Sequence, residues 1–420
     1  MSRKLHQRYS IESLESGDQQ DQHGKLFLSE AGMTDLSAVE VILTSIDTVK
    51  QLYKGMPKPD VLERLKSLQE SSATILTTPA PLGTKWHLGF AGKASGYQYK
   101  LQNNERGVVI LLKSFYKEED RDGNHLKIEL SPKFIAERGK KEIQQQLDNI
   151  AKSLLDDYKP AGIAIHIAAD FQGWEMPDDF LSRFTTRTRV TQDRDAIQKV
   201  EFNSLSDVSV NYGDKQSYLF GKANALQIAL YRKDREIEVS DKQDHFQRQW
   251  DGYTFGQYDK ELPVWRLEAR LHHRVVRELG NSQGLTLESF SDVVEHLADL
   301  WRYALMNNRL DQSRTYIDPI WQLLIEDCRF EHPATGYYFT RKKKESLGNI
   351  GKNYSLIIGN MITVFARQGF KVKEVMRELK KLSIYEELLR VYKDNGKTES
   401  DLWDQIDKGL SLRRLIGKAA

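Results

Sequence analysis

In the run Gly162-Ile163-Ala164-Ile165-His166-Ile167-Ala168-Ala169-Asp170, Ile163, Ile165 and Ile167 alternate with Ala164, His166, Ala168 and Asp170. A strand sends alternate side chains to opposite faces, so His166 and Asp170 share one face, with two alanines leaving room beside the ring. The same alternation sets Gln227, Ala229 and Tyr231 against Leu226, Ile228 and Leu230. It sets Arg266, Glu268 and Arg270 against Trp265, Leu267, Ala269 and Leu271. An imidazole and carboxylates on one sheet face are ligands for a divalent cation. A phenol with an ordinary pKa of about 10 is a poor nucleophile at neutral pH and needs help from its surroundings. Singly, each residue has a plainer reading. A strand histidine is usually structural, one tyrosine among 18 is rarely a nucleophile, and alternating charges usually make a solvated face. Their joint occurrence points to strand cleavage.

The elements that must position these residues come as two similar units. Val41-Ile42-Leu43-Thr44-Ser45-Ile46-Asp47 precedes Met56-Pro57 and Asp60-Val61-Leu62-Glu63-Arg64-Leu65, as residues 162–170 precede Met176-Pro177 and Asp179-Phe180-Leu181-Ser182-Arg183-Phe184. Each reads as a strand ending in Asp and then a helix. Leu126-Lys127-Ile128-Glu129-Leu130 and residues 265–271 each carry Glu on the polar side of an alternating strand. The pattern predicts an α+β fold: two tandem pseudo-repeats of antiparallel sheet with helices on one face, followed by a helical C-terminal domain. The boundaries fall at 1–37 for a mobile polar arm, 38–156 for a non-catalytic first unit, 157–280 for a catalytic second unit, and 281–420 for the helices. Residues 236–263 read as a charged, aromatic-bearing insertion, an extended hairpin or flexible loop. A strand is expected at 207–211, and Arg341-Lys342-Lys343-Lys344 in an exposed link.

Hydrophobic residues make up 39% of the 420 and charged ones 29%, the balance of a soluble globular protein. No run approaches the roughly 20 apolar residues that span a bilayer, and residues 354–365 are too short. No apolar core follows the charged start, so a cytoplasmic protein with no membrane partner is expected. The single cysteine, Cys328, excludes an internal disulfide and cysteine-rich zinc sites, and its apolar helical setting reads as structural. Net charge is +2, but residues 341–420 carry 18 Lys and Arg against 10 Asp and Glu, making this the end that attracts a polyanion.

Residues 162–171, then Tyr218-Leu219-Phe220-Gly221-Lys222, Ile228-Ala229-Leu230-Tyr231-Arg232-Lys233 and Trp265-Arg266-Leu267-Glu268, resemble in order and spacing the replication initiators of Gram-positive rolling-circle plasmids. Related domains occur in relaxases of integrative conjugative elements and in filamentous-phage initiators. The resemblance spans about residues 40–280 and implies an HUH-endonuclease-like protein that nicks one DNA strand with a tyrosine. It implies Tyr231 as nucleophile with Lys233 following it, and Glu268 as the acid of the last strand. His166 stands where relatives have the first of two acids, Asp170 being the second, and Ala229 and Lys222 stand where many have Arg. Mg²⁺ or Mn²⁺ held by His166, Asp170 and Glu268 would polarise the scissile phosphate. Lys222, Arg266, Arg270 and Arg341 through Lys344 would hold DNA phosphates. The implied partners are an origin duplex or hairpin, the single strand at the nick and a host helicase, since no P-loop glycine motif is present; a homodimer is allowed.

Other readings stay open at this stage: a relaxase for conjugative mobilisation, a non-catalytic DNA-binding regulator, or a metal-dependent nuclease that uses water. Tyr116 is the alternative nucleophile, followed by Tyr253 and Tyr258.

Overall fold

A computed structural model describes residues 3–17, 19–70, 86–116, 120–186, 191–193, 217–222, 224–240, 242–341, 350–394 and 396–419. The chain divides into two compact units, Met1–Arg341 and Lys342–Ala420. In the first unit, β1 (Gln7–Tyr9), β2 (Leu26–Ser29) and β3 (Gly32–Asp35) form a small antiparallel sheet. The main sheet is built from β4 (Glu40–Lys54), β5 (His87–Phe90), β6 (Tyr97–Asn103), β7 (Val108–Ser114), β8 (Asn124–Leu130) and β9 (Lys159–Gln172). After β10 (Phe184–Thr186) it continues with β11 (Thr191–Asp193), β12 (Ser217–Gly221), β13 (Leu226–Arg232) and β14 (Trp265–Leu271). A last strand, β15 (Asn308–Leu310), pairs with β10.

The ten strands of the main sheet run in the order β11-β12-β13-β14-β9-β4-β8-β7-β6-β5, each antiparallel to its neighbours. Its middle is the long pair β4 and β9, of 15 and 14 residues. Outward from that pair, the strands on one side follow the chain order of those on the other. Ile163, Ile165, Ile167, Leu267, Leu271, Val49 and Ile128 point to one face and are fully buried. Helices cover that face because they too are amphipathic. Lys140–Leu154 buries Ile143, Leu147, Ala151 and Leu154, one stripe of a 3.6-residue period, and His273–Ser282 buries Val275, Val276 and Leu279. Each such aliphatic side chain contributes about 1.5–3 kcal/mol by leaving water. Ser131 caps the helix Pro132–Ala136 through the Phe134 N–H, as the Ser-Pro sequence suggests.

Three expectations are corrected. Residues 1–37 are not a mobile arm: Arg8 is buried, its guanidinium donates to both carboxylate oxygens of Asp327 at 2.6 and 2.9 Å, and His6 donates its backbone N–H to Gln322. The 236–263 insertion is neither hairpin nor loose loop. It holds the helices Lys233–Val239 and Gln243–Tyr253, and Ile237, Phe246, Trp250 and Tyr258 pack with Ile42, Leu43 and Val264 into a core of their own. Its aromatic residues supply the apolar area that orders so polar a segment. Residues 281–341 do not belong with the C-terminal helices, because Phe290, Leu300, Trp301, Trp321 and Leu324 join the main core. The second unit packs its helices around Ile358, Ile362, Leu379, Leu388, Leu402 and Ile406. The strand expected at 207–211 lies outside the described residues. No helix among the described residues is long and apolar enough to cross a membrane.

Candidate functional site

The side chains of β9, β14, β13 and β4 that point away from the main core meet on the opposite face. Register sets His166 opposite Arg270, Ala168 opposite Glu268, and Asp170 opposite Arg266. It also sets Ala229 opposite Glu268 and Tyr231 opposite Arg266. On the other flank of β9, Ile46 pairs with Ile167 and Thr48 with His166, leaving Asp47 as the extra residue of a β-bulge. Two residues of a bulged strand face one on its partner, which turns Asp47 toward His166.

Asp47, His166 and Glu268 each offer one ligand atom, and these atoms lie within 4.8 Å of one another. His166 Nδ1 is 3.1 Å from Glu268 Oε1. Arg270 donates to the same carboxylate through Nε at 3.0 Å and Nη2 at 2.9 Å, and the Tyr231 hydroxyl donates to Oε2 at 3.4 Å. Burial alone would raise the Glu268 pKa, but Arg270 and His166 hold it well below the usual carboxylate range. Burial pushes His166 down against the pull of Glu268, so the imidazole is neutral at pH 7, the state that binds metal. Burial, then Glu268, pushes the Tyr231 phenol well above its ordinary value.

Ligands about 2.1 Å from an octahedral ion lie about 3 Å apart when adjacent and about 4.2 Å when opposite. The three donors lie on the scale of such a ligand set, and a nitrogen with two carboxylates suits Mn²⁺ as well as Mg²⁺.

Asp170 does not belong to this cluster. Both of its oxygens are taken by Arg266, Nε to Oδ1 at 2.5 Å and Nη2 to Oδ2 at 2.7 Å, and Trp250 Nε1 adds a bond of 2.8 Å. Arg266, expected to hold DNA, is correspondingly enclosed in the sheet face. It is fully buried, its third nitrogen reaches Asp47 Oδ1 at 2.6 Å, and the Phe246 ring lies 4.7 Å from its guanidinium carbon. Lys233 is buried too, paired with Glu236 at 2.5 Å beneath Phe246, and burial with the nearby Arg266 lowers its pKa. Arg270 is occupied by Glu268, whereas Lys222 is exposed in the turn after β12. Arg341 pairs with Glu278, and Lys342, Lys343 and Lys344 lie outside the described residues.

Among the alternative tyrosines, Tyr116 is exposed beyond the end of β7. Tyr253 bonds weakly to Thr44 at 3.4 Å, and Tyr258 packs on Trp250. Among the described residues the first half has no matching cluster. Glu129 on β8 is fully buried and faces Lys127 at 2.7 Å and Lys50 at 4.0 Å, whereas its counterpart Glu268 faces His166 and Arg270. Sequence reading misses Asp47 as a member of the cluster and Phe246 and Trp250 as supports. The bulge shifts the alternation of β4 and is invisible to a period-two pattern, while the aromatic spacing Phe246 to Trp250 on a helix is an available signal.

The molecule is thus an α+β protein with an Asp-His-Glu cluster and a tyrosine on one face of a ten-stranded antiparallel sheet. No family model matches the chain. Over 421 aligned residues, 96% of each sequence, it is 31% identical to the uncharacterized protein ORF430 of Pseudomonas phage Pf1, and it belongs to the same family as that protein.

Proposed function

We propose that the protein nicks one strand of DNA at an origin and transfers it, starting rolling-circle replication of a phage, plasmid or mobile element. The observation that carries this reading is the Tyr231 hydroxyl, 3.4 Å from a carboxylate that belongs to a three-residue cation-binding cluster. The Tyr231 oxygen would attack the phosphorus, the bond from phosphorus to the 3′-oxygen would break, and the phenol proton would end on that 3′-oxygen. The product is a 5′-phosphotyrosyl link and a free 3′-hydroxyl, so a later transfer rejoins the ends without ATP. Glu268 is the nearest acceptor for the phenol proton. A divalent ion on Asp47, His166 and Glu268 would supply Lewis-acid stabilisation of the phosphate.

The mirrored strand order supports two pseudo-repeats joined at β4 and β9, of the HUH-endonuclease-like kind. The lysines around Glu129 support a non-catalytic first repeat. A relative encoded by a phage favours replication over conjugative mobilisation. A host helicase would do the unwinding. A second reading, a DNA-binding regulator without catalysis, is favoured by one observation: Arg270 already neutralises Glu268, as in a purely structural network.

Incubation of the protein with single-stranded origin DNA and Mn²⁺, followed by intact-mass measurement, separates the two. A covalent protein–DNA adduct that disappears in Tyr231→Phe supports nicking. An adduct that persists in the variant moves the nucleophile elsewhere, and no adduct with any divalent metal leaves the regulator.

A further inference from the structure

The face that carries the Asp-His-Glu cluster continues across β4 into the first half of the sheet. Two residues along β9 from His166, Ala164 sits opposite Lys50, and Lys50 sits opposite Glu129 on β8. Strand rise places this row about 7 Å from that of His166. Lys127 lies two residues from Glu129 on the same side of β8. His272 and His273 follow β14 directly, with ring centroids 3.9 Å apart, and Arg274 comes next, 3.6 Å from Glu278 one helical turn on and with its side chain 57% exposed.

We propose that Lys50, Lys127 and Arg274 form a shelf beside the Asp-His-Glu cluster that holds the sugar-phosphate backbone of single-stranded DNA. The inference rests on the nicking reading for its direction: a strand whose phosphate reaches Tyr231 has to continue somewhere, and this is the side on which cations adjoin the cluster. Lys50 lies close enough to His166 to oppose its protonation. Burial first, then Arg274, Lys50 and Lys127, brings His272 down to about 4, and His273 is also brought to about 4 by burial, His272 and nearby cations. Both imidazoles are therefore neutral at pH 7 and neither adds to nor competes for an anion. Glu129 is fully buried and faces both lysines, at 2.7 Å from Lys127 and 4.0 Å from Lys50, while their side chains stay 18% and 22% exposed for Lys50 and Lys127. Around Glu129, one carboxylate faces two ammonium groups.

The asymmetry between the sheet halves follows. In the second half, Arg266 and Arg270 are paired with Asp170 and Glu268, and His166 and Glu268, with Asp47 from β4, suit a metal. In the first half, lysines dominate and suit a phosphate. One face then offers a reacting end and a holding end to the same strand.

The test uses the full chain in EDTA with a labelled single-stranded oligonucleotide of mixed sequence, followed by fluorescence anisotropy across a salt series. Lys50→Gln and Lys127→Gln are each expected to weaken binding about fivefold at 0.1 M salt and to lower the slope of log K against log salt by roughly 0.7, the value for one phosphate of a single strand. Lys50→Arg and Lys127→Arg should restore both. Unchanged slopes in the glutamine variants, no binding by the wild type, or a slope change seen with duplex but not single strand would each overturn the shelf. Because the measurement is metal-free, its failure is separate from that of nicking. Loss of the Mn²⁺-dependent adduct with normal slope changes would sink the nicking reading and leave the shelf standing.

Discussion

Arg266 grips Asp170 by both carboxylate oxygens, at 2.5 and 2.7 Å, with both side chains fully buried in the sheet face. Asp170 thereby supports Arg266 and lies outside the Asp-His-Glu cluster, and Arg266 in turn holds Asp47 at 2.6 Å. Removing one partner of a buried pair leaves the other uncompensated, which typically costs about 3–5 kcal/mol. Asp170→Asn should lower the urea midpoint accordingly. Its divalent-metal affinity, measured by calorimetric titration, should fall less than that of Asp47→Asn. Equal losses of metal affinity in the two variants would restore Asp170 to the ligand set.

Asp47 is the carboxylate that the bulge of β4 brings to His166 and Glu268. Even outer partners of metal ligands change affinity by about 10- to 100-fold. Asp47→Asn, which preserves shape while halving the donor oxygens, should weaken Mn²⁺ binding by more than about tenfold. Glu268→Gln should do at least as much, because it also strips Arg270 and Tyr231 of their shared acceptor. Wild-type affinity in Asp47→Asn would reduce the cluster to the His166 and Glu268 pair.

Much of the sheet is legible because its strands alternate cleanly. His166, Tyr231 and Glu268 do lie on one face, and strict period-two reading is enough to say so. The same reading fails at Asp47, where one extra residue turns the side chain, and at Asp170, where the face is right but Arg266 arrives first. Charge is the weaker guide. Arg266 looks like a phosphate ligand in a sequence and Lys233 like a companion of the nucleophile, yet each is buried against an acid, and the aromatic helix that buries them has the composition of a loop. The N-terminal strands escape sequence reading for a related reason: Arg8 and His6 are polar residues whose partners, Asp327 and Gln322, lie more than 300 residues away.

Acidification should charge the half-buried His272 and His273. Folded pKa values of about 4 for His272 and His273 lie below the ordinary value of 6.5, so between those limits the unfolded chain binds more protons than the native one. Stability contributed by the neutral rings is present above pH 6.5 and is lost as pH falls toward 4. The depressed carboxylates Glu268, Glu129 and Glu236 act lower, since their unfolded values lie near 4.5. The decline from about pH 6.5 to 5 is therefore mainly histidine-driven. Urea midpoints at about pH 7 and about pH 5 should differ in the wild type and differ less in His272→Gln/His273→Gln. An undiminished difference in the double variant would assign the decline to other groups, His166 among them.

The second unit has its own apolar core, with Leu402 and Ile406 fully buried against Ile358, Ile362 and Leu388, so its removal after Arg341 leaves no part of that core exposed on the remaining chain. Residues 1–341 should fold alone, with the Mn²⁺ affinity of the full chain. The removed segment carries 17 Lys and Arg against 10 Asp and Glu, a charge excess that favours duplex DNA or merely solvates a surface. If it touches duplex, the truncated chain should bind duplex more weakly, with the slope of log K against log salt reduced by about 0.9 for each phosphate it no longer neutralises. Single-strand affinity in EDTA should be unchanged, since Lys50, Lys127 and Arg274 all remain. An unaltered duplex slope would place duplex recognition in the first unit, where exposed Lys222 is the first residue to replace.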